Sequence, residues 1–153
     1  MAPFDIDTDR SAVGNFLPRV VAIVGGAGFV VLGVWAMVDP QSFFEALARF
    51  EPYNQHFLQD VGAFQVGLGV VLMLAGLSVR ADGLTVALVG VGVAAALHAV
   101  SHIVGRDLGG APEREIPGFA AMAVALLAAG GLRWRHVRGA ARDSPIDRLR
   151  SGS

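Results

Sequence analysis

Apolar and small residues run without an Asp, Glu, Lys or Arg through four stretches, Val20 to Val38, Val61 to Val79, Gly83 to Gly105 and Ile116 to Leu132. A helix needs about 20 residues to cross about 30 Å of hydrocarbon, so the pattern predicts four transmembrane helices. The many glycines do not oppose this, because membrane helices carry Gly and Pro more freely than soluble ones. Between the first two stretches, Asp39-Pro40 has the form of an N-cap followed by proline at the first helical position. Phe43, Phe44, Leu47 and Phe50 then recur at helical spacing opposite Glu45 and Arg49, and Glu51-Pro52 closes the segment. This predicts a short interfacial helix with its phenylalanines in lipid or over the mouth of the bundle.

Composition agrees with the pattern. The chain has 153 residues, 54% hydrophobic and only 16% charged, with a mean hydropathy of +0.55, whereas a soluble domain carries about a quarter charged residues. A net charge of -1 gives no electrostatic footprint for nucleic acid. The absence of cysteine removes disulfides, thiolate metal sites, iron-sulfur clusters and cysteine nucleophiles. The expected fold class is therefore all-α, an integral membrane four-helix bundle in contact with the lipid bilayer.

All twelve basic residues are Arg, which with 20 Gly points to a GC-rich, bacterial coding bias. The first apolar stretch follows Asp5, Asp7 and Asp9 rather than a basic leader, so it is expected to remain as a membrane span and not to act as a cleaved signal. Orientation follows from the arginines, since basic flanks favour the cytoplasm. Arg10, Arg19, Arg80, Arg133, Arg135, Arg138, Arg142, Arg148 and Arg150 fall on one side, and Arg49, Arg106 and Arg114 on the other. This predicts both termini in the cytoplasm of a cell with its protein in the inner (plasma) membrane. The expected organisation is an N-terminal segment 1–19, a membrane domain 20–132 and an Arg-rich tail 133–153.

Polar residues inside such spans are costly and are candidates for function. The second and third stretches are joined only by Arg80-Ala81-Asp82, so they are expected to be antiparallel neighbours with Asp60 level with His102 and Gln65 level with His98. Gly90, Ala94, His98 and His102 form one i, i+4 stripe, and His56, Asp60, Ala63 and Gly67 a comparable one. The candidate ligand-binding set is thus Asp60, His98 and His102, with His56 above. Two histidines at i, i+4 and a carboxylate also match a divalent metal set of His98, His102 and Asp60. The same groups suit the polar head of a quinone or another amphipathic molecule, with Trp35, Tyr53, Phe57 and Phe64 as candidate walls. The opposing expectation is a scaffold or accessory subunit in which the polar cluster only joins helices. Gly25, Gly26 and Gly33 could serve intramolecular packing or a homo-oligomer.

The run Asp60-Val61-Gly62-Ala63-Phe64-Gln65-Val66-Gly67-Leu68-Gly69, followed by His98-x-x-Ser101-His102, resembles the DoxX-like family of small four-helix membrane proteins. The resemblance covers the three spans from about Val20 to Gly105 and, weakly, the fourth. It implies a compact membrane bundle, with some relatives serving as membrane subunits of quinone-linked oxidoreductases and hence a membrane or peripheral redox partner.

Overall fold

A computed structural model describes the backbone of residues 6–78 and 83–142, and the side chains of 13–78 and 83–140. The turn at Arg80 and the tail positions Arg148 and Arg150 lie outside the described residues. Five helices follow in order, α1 (Ile6–Val38), α2 (Pro40–Ala46), α3 (Gln55–Leu77), α4 (Gly83–Val104) and α5 (Pro112–Arg142). Four of them, α1, α3, α4 and α5, contain segments long and apolar enough to cross a membrane: Val13–Val38, Gln55–Leu77, Gly83–Val104 and Pro112–Ala140. The expected all-α four-helix membrane bundle is present. The helices overrun the charge-free stretches because a helix has no reason to stop where its side chains become polar; α1 continues through Arg19, and α5 takes in Glu113, Arg114 and Glu115.

The interior is written in steps of four and three residues, the spacing that keeps one face of a helix on its neighbours along a gently supercoiled bundle. On α3 the stripe is Leu58, Gly62, Gln65, Gly69, Leu72 and Gly76, all buried except Gln65, which is half-buried. On α4, Leu84, Leu88, Val91 and Ala95 are buried, and the same spacing continues to His98 and His102. On α5, Leu126 and Ala129 are buried and Met122 packs against them, while the stripe runs on to Phe119 and Glu115 one way and to Arg133 the other.

Pairing among the helices is uneven: α1 lies along α3, α4 lies along α5, α1 meets α5, and α3 and α4 touch far less. The α1–α3 seam is built from glycines in register. A Cβ on Gly33 would stand 2.6 Å from the carbonyl oxygen of Gly62, and one on Gly26 would stand 2.7 Å from that of Gly69, with the reciprocal contacts equally short. Between membrane helices association comes from close packing rather than from water release, so backbones that can approach this far form the tight pair. Gly26 and Gly33 thus serve intramolecular packing, and Gly25 faces Leu126 of α5.

The short link between α3 and α4 does not make them a tight pair. They flank an apolar groove of ≈ 630 Å³, with Leu68, Val71 and Ala75 on one side and Val86, Gly90 and Val91 on the other. Gly67 and Gly90, which the i, i+4 stripes would place at a helix contact, have nothing within 4 Å of an added Cβ. Val31, Phe64, Leu74, Val86, Val104 and Val124 are exposed around the outside, as a lipid-facing surface requires.

At one end α2 caps the bundle. The Asp39 carboxylate accepts from the Ser42 N–H at 3.2 Å and Pro40 opens the helix, as expected. The helix ends at Ala46 rather than reaching Phe50. Phe43 and Phe44 turn inward onto Ala36 and Leu58, with Trp35 and Tyr53 packed around them.

Candidate functional site

His98 and His102 sit in the last two turns of α4, and Glu115 in the first turn of α5, at the α2 end of the bundle. Pro112 opens α5 at a position where no N–H is needed. Glu115 then reaches back, its Oε1 accepting from the Ala111 N–H at 2.9 Å, which satisfies one of the donors a helix start leaves open. The N-terminal end of the helix also favours a carboxylate there.

The other carboxylate oxygen, Oε2, lies 3.0 Å from His102 Nδ1. No aligned hydrogen bond joins them, and Oε2 is buried without a hydrogen-bond partner. The attraction is one of proximity, between side chains only 12% and 14% exposed. On its far side, His102 Nε2 lies 3.1 Å from His98 Nε2. One Nε2 donates to the other, the direction set by the tautomers the two rings hold, and His98 Nδ1 is left as donor or acceptor accordingly. A polar chain thus leads from a buried carboxylate through a buried imidazole to His98, which is exposed on the outside of the bundle.

Aromatic rings frame this chain. Phe119 of α5 lies 4.1 Å from the His98 ring and 4.9 Å from the His102 ring, centroid to centroid. Phe50, from the loop after α2, meets His102 edge-on at 5.6 Å. That loop is tied to the α4–α5 connection by the Gly110 N–H donating to Arg49 O at 2.9 Å. Gly109 and Gly110 have φ of 132° and 77°, values that side chains rarely adopt. A Cβ on Gly110 would come within 2.7 Å of Phe50 Cζ and 2.8 Å of Glu115 Oε2. The two glycines therefore let the connection close down directly over the carboxylate.

The histidines of the expected set are together, but their carboxylate partner is Glu115 rather than Asp60. Asp60 stands 3.6 Å from His56, one turn away on α3, and the two side chains are 59% and 87% exposed. Among the described residues no hydrogen bond or ion pair joins either of them to His98 or His102. The α3 face turned inward is that of Gly62 and Gly69, and Asp60 lies about 200° round the helix from Gly62 at about 100° per residue. The metal set of His98, His102 and Asp60 is separated for the same reason. No group of three or more His, Asp or Glu among the described residues is placed to hold a metal ion.

The expected walls change as well. Phe57 and Phe64 are exposed on the outside. Trp35 donates Nε1–H to Ser42 Oγ at 2.7 Å and Tyr53 packs on Phe44, both under α2. Gln65 is half-buried, and its Oε1 is buried without a hydrogen-bond partner.

No family model matches this chain, and neither a curated protein nor a solved structure does.

Proposed function

We propose that this protein binds the polar head of a small amphipathic molecule, of quinone or lipid type, through His98, His102 and Glu115. The observation that carries the proposal is the polar chain itself, buried at the carboxylate and opening at His98 on a surface otherwise given to lipid. An imidazole presented to the bilayer costs free energy unless something hydrogen-bonds it. A ligand with a carbonyl or hydroxyl head and an apolar tail would do so while leaving its tail in the membrane. Phe119 offers the head a ring face beside the two imidazoles.

The wider setting we propose is that of a DoxX-like protein of a bacterial inner membrane, with both termini in the cytoplasm and the site facing outward. The nine-to-three arginine asymmetry supports that orientation. We assign the site a supporting role beside a membrane or peripheral redox enzyme, a reading that fits a chain with no cysteine.

The test is binding of a short-chain benzoquinone with a decyl tail to detergent-purified protein, together with mass spectrometry of extracted lipid. His98→Ala is expected to weaken binding about ten-fold, the worth of one good hydrogen bond in such a site. Glu115→Gln, which leaves His102 without its carboxylate, should act in the same direction. Asp60→Asn is expected to change nothing. Unaltered binding in His98→Ala, with a lowered unfolding temperature as the sole effect, would reduce the cluster to a joint between α4 and α5.

A further inference from the structure

The opposite end of the bundle, where α1 begins and α5 ends, has its own polar arrangement. Arg19 on α1 and Arg133 on α5 each border a charge-free stretch, the position at which a span is expected to meet the headgroups. They converge on a single acceptor: Asn15 Oδ1 takes Arg133 Nη1–H at 2.8 Å and Arg19 Nε–H at 3.4 Å. The helices are brought this close by Gly14, where an added Cβ would lie 2.9 Å from His136 Nδ1.

Two guanidinium groups on one neutral oxygen repel each other, and nothing described nearby offsets the charge. Among the described residues none of Arg19, Arg133, Arg135 and Arg138 forms an ion pair with a carboxylate. Arg19 is held in place by its Nη1, which donates to Gly76 O at 2.8 Å and Ser78 O at 2.7 Å at the end of α3. Arg133 keeps an unused donor, since its Nε is buried with no hydrogen-bond partner. A buried donor without an acceptor is costly, and an anion beside the guanidinium groups would offset both that cost and the repulsion of the two charges.

We propose that Arg133 and Arg19, bridged by Asn15, form a binding site for the phosphate of an anionic phospholipid at the membrane surface. Basic pockets between membrane helices are suited to such headgroups. Trp134, exposed beside the site with Arg138 stacked 4.6 Å over its ring, supplies an interfacial anchor next to the lipid.

The experiment follows lipid retention and thermal unfolding of delipidated protein in a neutral detergent. The probes are phosphatidylglycerol, phosphatidylcholine and inorganic phosphate, each titrated separately. Phosphatidylglycerol is expected to give a saturable rise in unfolding temperature and a bound lipid in native mass spectrometry, with phosphatidylcholine clearly weaker. Arg133→Gln should weaken the apparent affinity about five- to ten-fold, whereas Arg135→Gln, exposed on α5, should leave it unchanged. Asn15→Ala, which keeps both charges but removes their bridge, tests the same site without altering net charge, and weaker binding is expected there too. Equal binding in wild type, Arg133→Gln and Asn15→Ala would overturn the proposal, as would an equal loss in Arg135→Gln, which would mean diffuse attraction. Saturation by inorganic phosphate at the concentrations effective for phosphatidylglycerol would overturn the lipid as occupant.

Discussion

At Gly110 the backbone takes φ 77° directly above Glu115. Alanine there meets two penalties, a left-handed conformation that L side chains avoid and a Cβ pressed against Phe50 and Glu115. Gly110→Ala is expected to lose about 1–3 kcal/mol of stability, read from thermal or denaturant unfolding in detergent, and to disturb binding at His98. Gly118→Ala, on α5 with nothing within 4 Å, should stay within about 0.5 kcal/mol of wild type in the same assay. Equal effects would show that the connection does not rest on the carboxylate. The importance of Glu115 was hidden in the sequence by the way spans are recognised. A search for charge-free runs begins the fourth span at Ile116 and so discards the one acidic residue that the helix carries inward. His98 and His102 were legible because histidine does not interrupt such a run.

Among the elements, what the sequence leaves ambiguous is which face of each helix turns inward. Two small-residue stripes compete on α3, one through Ala63 and Gly67 and one through Gly62, Gly69 and Gly76, and an i, i+4 rule selects the first. The seven-residue spacing of the second matches Gly26 and Gly33 on α1, and this match across two helices decides the packing. An i, i+4 stripe drifts round the helix, by about 80° between Gly90 and His98, whereas steps of four and three stay on one side. The existence of the four spans was legible because it follows from apolar run length alone, whereas the full lengths of α1 and α5, which run on past their stretches, were not. Pairing was not, because the short link between α3 and α4 fixes direction but not closeness. Gly62→Ala should therefore cost about 1–3 kcal/mol, since its Cβ would stand 2.6 Å from the Gly33 carbonyl oxygen and the backbone cannot yield as a side chain would. Gly67→Ala, five residues along the same helix and open to space, is expected to be neutral. The comparison separates a glycine seam from a general dislike of added methyl groups in α3.

For the molecule as a whole, the two polar sites stand at opposite ends of one bundle. Four spans return the chain to the side from which it started, so Arg133 and Arg19 share a membrane face and Glu115 and His102 lie toward the other. If the arginine-rich end is cytoplasmic, the Arg133 site meets the anionic leaflet and the His98 site meets whatever is carried at the outer surface. The chain has no cysteine of its own, so single cysteines report on sidedness without background. Glu113→Cys, at the exposed start of α5, should react with a membrane-impermeant maleimide in intact spheroplasts. Gly139→Cys, exposed near the other end of the same helix with nothing within 4 Å, should react only after the membrane is opened. The reverse pattern would turn the molecule over and place His98 on the cytoplasmic side, where its ligand would be drawn from the opposite leaflet. Labelling of both positions before permeabilisation would mean that α5 does not span, and both proposed sites would then lie on the same side of the bilayer.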